Sequence, residues 1–115
     1  MESETLKATD EYSAKNAVAS RVSLADMEGK IKRELYFNAA DMEEKCIGSA
    51  QSDNPLSLLT ICILVMANGF TIIGKSAPAS PENFDPEKGK RFAYEDAIKQ
   101  LWPLEGYALR EKLSA

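Results

Sequence analysis

The chain has 115 residues and a net charge of −4, with 14 Lys and Arg against 18 Asp and Glu. It contains no histidine, which excludes Ser-His-Asp and Cys-His triads, imidazole-held zinc, and histidine as a general acid or base. The length fits one domain, and the acidic balance argues against a nonspecific nucleic-acid coat, which needs surplus cation to displace counterions.

The acidity is concentrated in the N-terminal half: residues 1–56 carry −4, whereas residues 86–115 carry +1. Residues 1–22 are polar and charged, with no sustained apolar period and no apolar leader core. They read as a flexible N-terminal arm ahead of a single domain over 23–115, in a cytosolic protein with reduced thiols. Of the two cysteines, Cys62 falls in the most apolar run and reads as a core residue, while Cys46 falls in a polar stretch.

Ser23, followed three residues later by Asp26, marks a helix start. Leu24, Met27, Ile31 and Leu35 then recur at three- and four-residue steps, predicting one helix of about 14 residues that ends at Tyr36-Phe37. Gly29 weakens that helix. Residues 38–55 have loop composition, with Gly48, Ser49, Ser52, Asp53, Asn54 and Pro55, and make an unusually long loop.

From Leu58 to Ser76 two apolar runs flank Asn68-Gly69. That dipeptide predicts a two-residue type I′ turn joining antiparallel strands at about 58–67 and 70–76. Such a turn pairs Val65 with Ile72, Leu64 with Ile73 and Cys62 with Lys75. The first strand is apolar on both faces and expects cover on both. Helices from a chain this short cover one face, so an oligomer sharing its sheet or its helices is expected. The longest apolar stretch, Leu56 to Ala67, is too short to span a membrane.

Ser80-Pro81-Glu82 reads as one short turn, and Asp85-Pro86-Glu87 as the capped start of a long C-terminal helix over about 86–113. Pro103 predicts a break or kink in it. The fold class is therefore α+β: an N-terminal helix, a central hairpin and a long kinked C-terminal helix.

Adjacent acids such as Glu43-Glu44 and Glu95-Asp96 diverge by about 100° on a helix and read as solvated charges. No phosphate-binding or dinucleotide fingerprint is present. The chemistry-bearing residues left over are Lys75, Ser76, Asn83, Arg91 and Arg110, which could hold an anion, and Trp102 and Tyr107, which could stack on a planar group. These seven form the candidate ligand set; no catalytic residue, metal or cofactor is expected.

From Thr60 to Leu113 the chain shows Asn68-Gly69-Phe70, Gly74-Lys75-Ser76-Ala77, Asn83-Phe84-Asp85, Gly89, Ala93, Ala97 and Trp102-Pro103-Leu104-Glu105-Gly106-Tyr107. This order and spacing resembles a family of small tailed-phage accessory proteins, the forty-nine/sixty-six gene-product family. The segment from Ser23 to Asp41 is similar to that family's N-terminal element. The resemblance implies a protein of phage or prophage origin acting in the host cytoplasm, and it brings no catalytic residues with it. The expected function is a non-enzymatic binding protein that interferes with a host factor or antiviral defence. It would block a host protein through its sheet or acidic surface, or sequester a small nucleotide-like signal at a subunit interface. The alternative is a nucleic-acid-associated replication or transcription accessory.

Overall fold

The computed structural model describes residues 1–17, 20–48 and 53–115. In chain order these form α1 (Glu4–Asn16), α2 (Leu24–Gly29), β1 (Ile31–Asn38), α3 (Ala39–Ile47), β2 (Thr60–Met66), β3 (Thr71–Ser76) and α4 (Pro86–Ser114). Short 3-10 turns occupy Pro55–Leu58 and Pro81–Asn83. The strands make one antiparallel sheet in the order β1-β2-β3. The class is α+β, with the hairpin and the long C-terminal helix where the sequence places them.

Both expected helix caps are present. Ser23 Oγ accepts from the Asp26 N–H, and the Asp85 carboxylate accepts from the Glu87 and Lys88 N–H groups. The last helix is continuous from Pro86 to Ser114, with Pro103 inside it. The proline removes one helical hydrogen bond at an exposed stretch, where water can satisfy the freed carbonyl of Lys99.

The first helix is corrected. It stops at Gly29, and Ile31–Asn38 is a strand paired with β2. Ile31 and Leu35 satisfy a helical step, but Arg33, Leu35 and Phe37 also alternate with Glu34 and Tyr36. Alternation wins because β2 is a central strand with two backbone edges to satisfy, and β1 supplies the second partner. The loop expected over 38–55 likewise holds a helix, α3, capped by Asn38 and ended by Gly48 at φ 81°. Residues 49–52 of that loop lie outside the described residues. The segment read as a flexible arm carries α1, with Ser3 and Leu6 buried.

The hairpin register is also corrected, by one residue. Leu64 pairs with Ile72, Ile63 with Ile73 and Cys62 with Gly74. The Gly69 N–H donates to Met66 O, and the Met66 N–H to Phe70 O, so the loop is Ala67-Asn68-Gly69. Gly69 has φ 89°, while Asn68 is not in the positive-φ region, so the type I′ turn does not form. This is a type I turn closed by a left-handed glycine, the three-residue hairpin loop. The slip places Ile72 and Gly74 on the inner face with Thr60, Cys62, Leu64 and Met66, and moves Ile73 and Lys75 to the outer face.

Helix α4 crosses the inner face of β2 and β3, burying Ala93, Tyr94, Ala97, Ile98 and Leu101 against Cys62, Leu64, Met66 and Ile72. Leu24 and Met27 of α2 and Leu6 of α1 complete this core beside β1. Among the described residues no helix is long and apolar enough to cross a membrane.

Candidate functional site

A groove of about 530 Å³ opens between the hairpin tip and the second half of α4. Its floor is Leu101 and Met66, both almost fully buried, and its lips are Phe70 and Leu104, 54% and 49% exposed. Phe70 is held at the lip by its N–H bond to Asn68 Oδ1 in the turn. Leu104 follows Pro103 on α4, one turn beyond Leu101. Lys30, at the end of α2, reaches Glu105 across one end of the groove, Nζ to Oε2 2.6 Å. Beyond that ion pair lies a second hollow of about 360 Å³, lined by Arg21, Asp26, Leu109 and Lys112. The groove is thus an apolar concavity whose one cation among the described residues is already neutralised, and it suits an apolar side chain more than a phosphate.

The seven candidate ligand residues do not converge in one chain. Ser76 and Asn83 line a small hollow of about 260 Å³ together with Asp85, Lys88 and Phe92. Arg91 lies beside it, its guanidinium 5.4 Å from the Phe92 ring centre. The helix start there is occupied by the chain's own Asp85 carboxylate, which opposes a second anion. Lys75 stands on the outer sheet face, opposite to Gly74. Trp102, Tyr107 and Arg110 lie on the far half of α4, roughly 24 Å along the helix from Arg91 to Tyr107. Trp102 packs against the core, and Tyr107 is 71% exposed.

Three polar pairs that nothing in the sequence signalled surround the core, from the buried Ser3–Glu95 pair to the exposed Tyr36–Glu34 pair. Ser3 Oγ donates to Glu95 Oε2 at 2.7 Å, Tyr36 Oη to Glu34 Oε1 at 2.7 Å, and Tyr94 Oη to the Glu28 carboxylate. Burial, then these hydrogen bonds to carboxylates, push both tyrosine hydroxyls well above their ordinary range. Burial pushes the Cys62 thiol up to about 11. At neutral pH these groups stay protonated, and the two tyrosine hydroxyls act as hydrogen-bond donors. Nothing in the sequence marks them, because Tyr94 and Glu95 sit inside an ordinary helical pattern. Among the described residues, no three His, Cys, Asp or Glu side chains stand together as a metal site.

No curated protein and no solved structure matches the chain. The Phage protein (N4 Gp49/phage Sf6 gene 66) family model matches residues 22–113, from just after α1 to the last turn of α4. The chain belongs to the N4 Gp49/phage Sf6 gene 66 family of phage proteins.

Proposed function

We propose that this phage protein is a non-enzymatic binding protein that acts on a host protein in the bacterial cytoplasm, with the groove at the hairpin tip as its contact. The observation that carries the reading is the pairing of two large exposed apolar side chains, Phe70 and Leu104, across an apolar floor. A folded acidic chain retains such a concavity at a cost in solubility, and apolar grooves of this size serve recognition. The occupant that fits is the apolar face of a host helix or loop. The Lys30–Glu105 pair leaves no free cation in the groove among the described residues for a nucleotide phosphate, and the residues first grouped as an anion site lie apart. Sequestration of a nucleotide-like signal therefore draws less support than capture of a protein.

The test is native mass spectrometry of the protein purified from phage-infected cells, with Leu104→Asp purified in parallel. Leu104 is half exposed, so the variant keeps its fold, checked by circular dichroism. A stoichiometric host protein held by the wild type and lost from Leu104→Asp is the expected result. A bare wild-type chain, a partner held equally by the variant, or a retained nucleotide or nucleic acid in place of a protein overturns the reading.

A further inference from the structure

We infer that the outer face of the sheet is a contact between two copies of this chain, packed face to face about a two-fold axis with their strands aligned. The register arranges the outer side chains in three rows: Arg33–Val65–Thr71, Leu35–Ile63–Ile73 and Phe37–Ile61–Lys75. Helix α4 covers only the opposite face, so Ile73 remains 60% exposed and Phe37 36%. The middle row is apolar across all three strands, and the central strand is apolar along its length. A contiguous apolar face of this kind marks an interaction site.

Edge pairing through this sheet is opposed on both sides. On β3 the Lys75 N–H donates to Asp96 Oδ2 at 3.0 Å, and Ile73 O accepts from Gln100 Nε2 at 2.8 Å, so side chains of α4 occupy the edge. On β1 the ladder is interrupted between Ile31 and Arg33. Both are devices that stop a strand from adding to a sheet. The face remains.

Its charges fit a second copy. The two cations, Arg33 and Lys75, stand at diagonally opposite corners of the patch. A half-turn about an axis along the strands lays β1 of the second copy over β3. Arg33 of the second copy then falls over Thr71, and Lys75 of the second copy over Phe37. A half-turn about the other in-plane axis exchanges these two placements. In both, cation never meets cation, and one cation rests on the Phe37 ring, a favourable contact. Either axis passes through Ile63 and packs the apolar middle row on its own copy, and aligned packing keeps the strands within about 30° of one another. The patch offers on the order of 500 Å² per chain, so a pair buries about 1,000 Å², the lower bound of a specific interface. The groove at the hairpin tip lies on the other side of the sheet and stays open in such a pair.

Sedimentation velocity over a dilution series tests this. The wild type is expected to form a dimer that dissociates on dilution through the micromolar range. Ile73→Lys, at an exposed position that spares the fold, is expected to weaken it about a hundredfold or more by burying a charge in the apolar middle row. Tyr107→Ser, on the projecting part of α4, is expected to leave it unchanged. A wild type that is monomeric up to its solubility limit, a dimer indifferent to Ile73→Lys, or a dimer lost in Tyr107→Ser overturns the inference. Leu104→Asp should dimerise normally while losing its host partner, so a failure here and a failure of the proposed function are separable.

Discussion

Gly74 of β3 lies directly beneath Ala97 of α4. A Cβ placed on Gly74 would stand 2.1 Å from Ala93 O and 2.6 Å from Ala97 N, both backbone atoms that cannot swing aside. Glycine lets the helix approach the sheet at this point, and that approach sets the floor on which Ile98 and Leu101 pack. Gly74→Ala is therefore expected to cost about 3 kcal/mol or more, since overpacking against backbone moves whole elements. The melting temperature should fall by on the order of 10–15 °C. Gly106, in the same helix region as the groove, meets nothing within 4 Å, so Gly106→Ala should stabilise by up to about 1 kcal/mol. Urea denaturation of the two variants checks the pair, and equal effects would refute this account of Gly74.

The same glycine shows what the sequence could and could not reveal. The hairpin, the Ser23 and Asp85 caps and the long helix are local signals, each carried by a few adjacent residues, and all were legible. Whether Ile31–Asn38 is helix or strand was not, because the pattern satisfies both periods and the choice depends on an open edge of β2 some thirty residues away. The hairpin loop differs from its expected form by one residue, Ala67, and that single residue moved Lys75 off the face expected to be packed. The candidate site was legible only in part. Phe70, Leu104 and Glu105 lie in stretches that drew attention, but Lys30 and Met66 gave no sign of meeting them. The candidate ligand residues do not converge within one chain, because α4, one uninterrupted helix, holds Arg91 and Tyr107 far apart.

Asp96 and Gln100 occupy successive turns of α4 and seal the β3 edge through Lys75 N and Ile73 O. Asp96→Ala removes the acceptor for an edge N–H and should cost about 1 kcal/mol. Asp96→Ala with Gln100→Ala leaves a bare edge beside exposed Ile73, which is a template for strand addition. Light scattering during slow heating should show aggregation of the double variant several degrees below the wild type. Identical aggregation onset would mean that the edge is protected in some other way.

Helix α1 precedes the stretch matched by the family, yet it is fastened at two points. Ser3 Oγ both accepts from Leu6 N–H, capping the helix, and donates to buried Glu95. Ser3→Ala should cost about 2 kcal/mol, the sum of a lost cap and a buried carboxylate left without a donor. Midway along α1, Asp10 Oδ1 accepts from Arg21 Nη1 and Leu24 N, each at 2.8 Å. The hydrogen bond from Arg21, then that from Leu24, holds the Asp10 carboxyl below its ordinary 3.8. Its contribution is complete above that ordinary value and disappears as the pH falls through the lower folded value. Asp10→Asn should therefore lower stability at pH 7 and remove part of the acid sensitivity, which urea midpoints at pH 3, 5 and 7 would register. Unchanged midpoints in both variants would show that α1 is held elsewhere.

Cys62 and Cys46 should behave oppositely. Cys46 is exposed on α3, whereas Cys62 is fully buried on β2 beside Tyr36. A maleimide is expected to label Cys46 in the native protein and Cys62 only in denaturant. Burial raises the Cys62 thiol to about 11 from an ordinary 9.0, so between those values the unfolded chain releases a proton that the folded chain keeps. Stability is thus full below pH 9 and declines as the pH rises toward 11. Tyr36 and Tyr94, raised by burial and by hydrogen bonds to carboxylates, add to the decline from their ordinary 10.0 upward. Urea midpoints at pH 8, 10 and 11 should fall in that order. Cys62→Ala should lose part of the drop between 9 and 11 while keeping the tyrosinate component, which absorbance near 295 nm reports as the chain unfolds. A flat profile across this range, or rapid native labelling of Cys62, would contradict the packing of β1 and α4 around it.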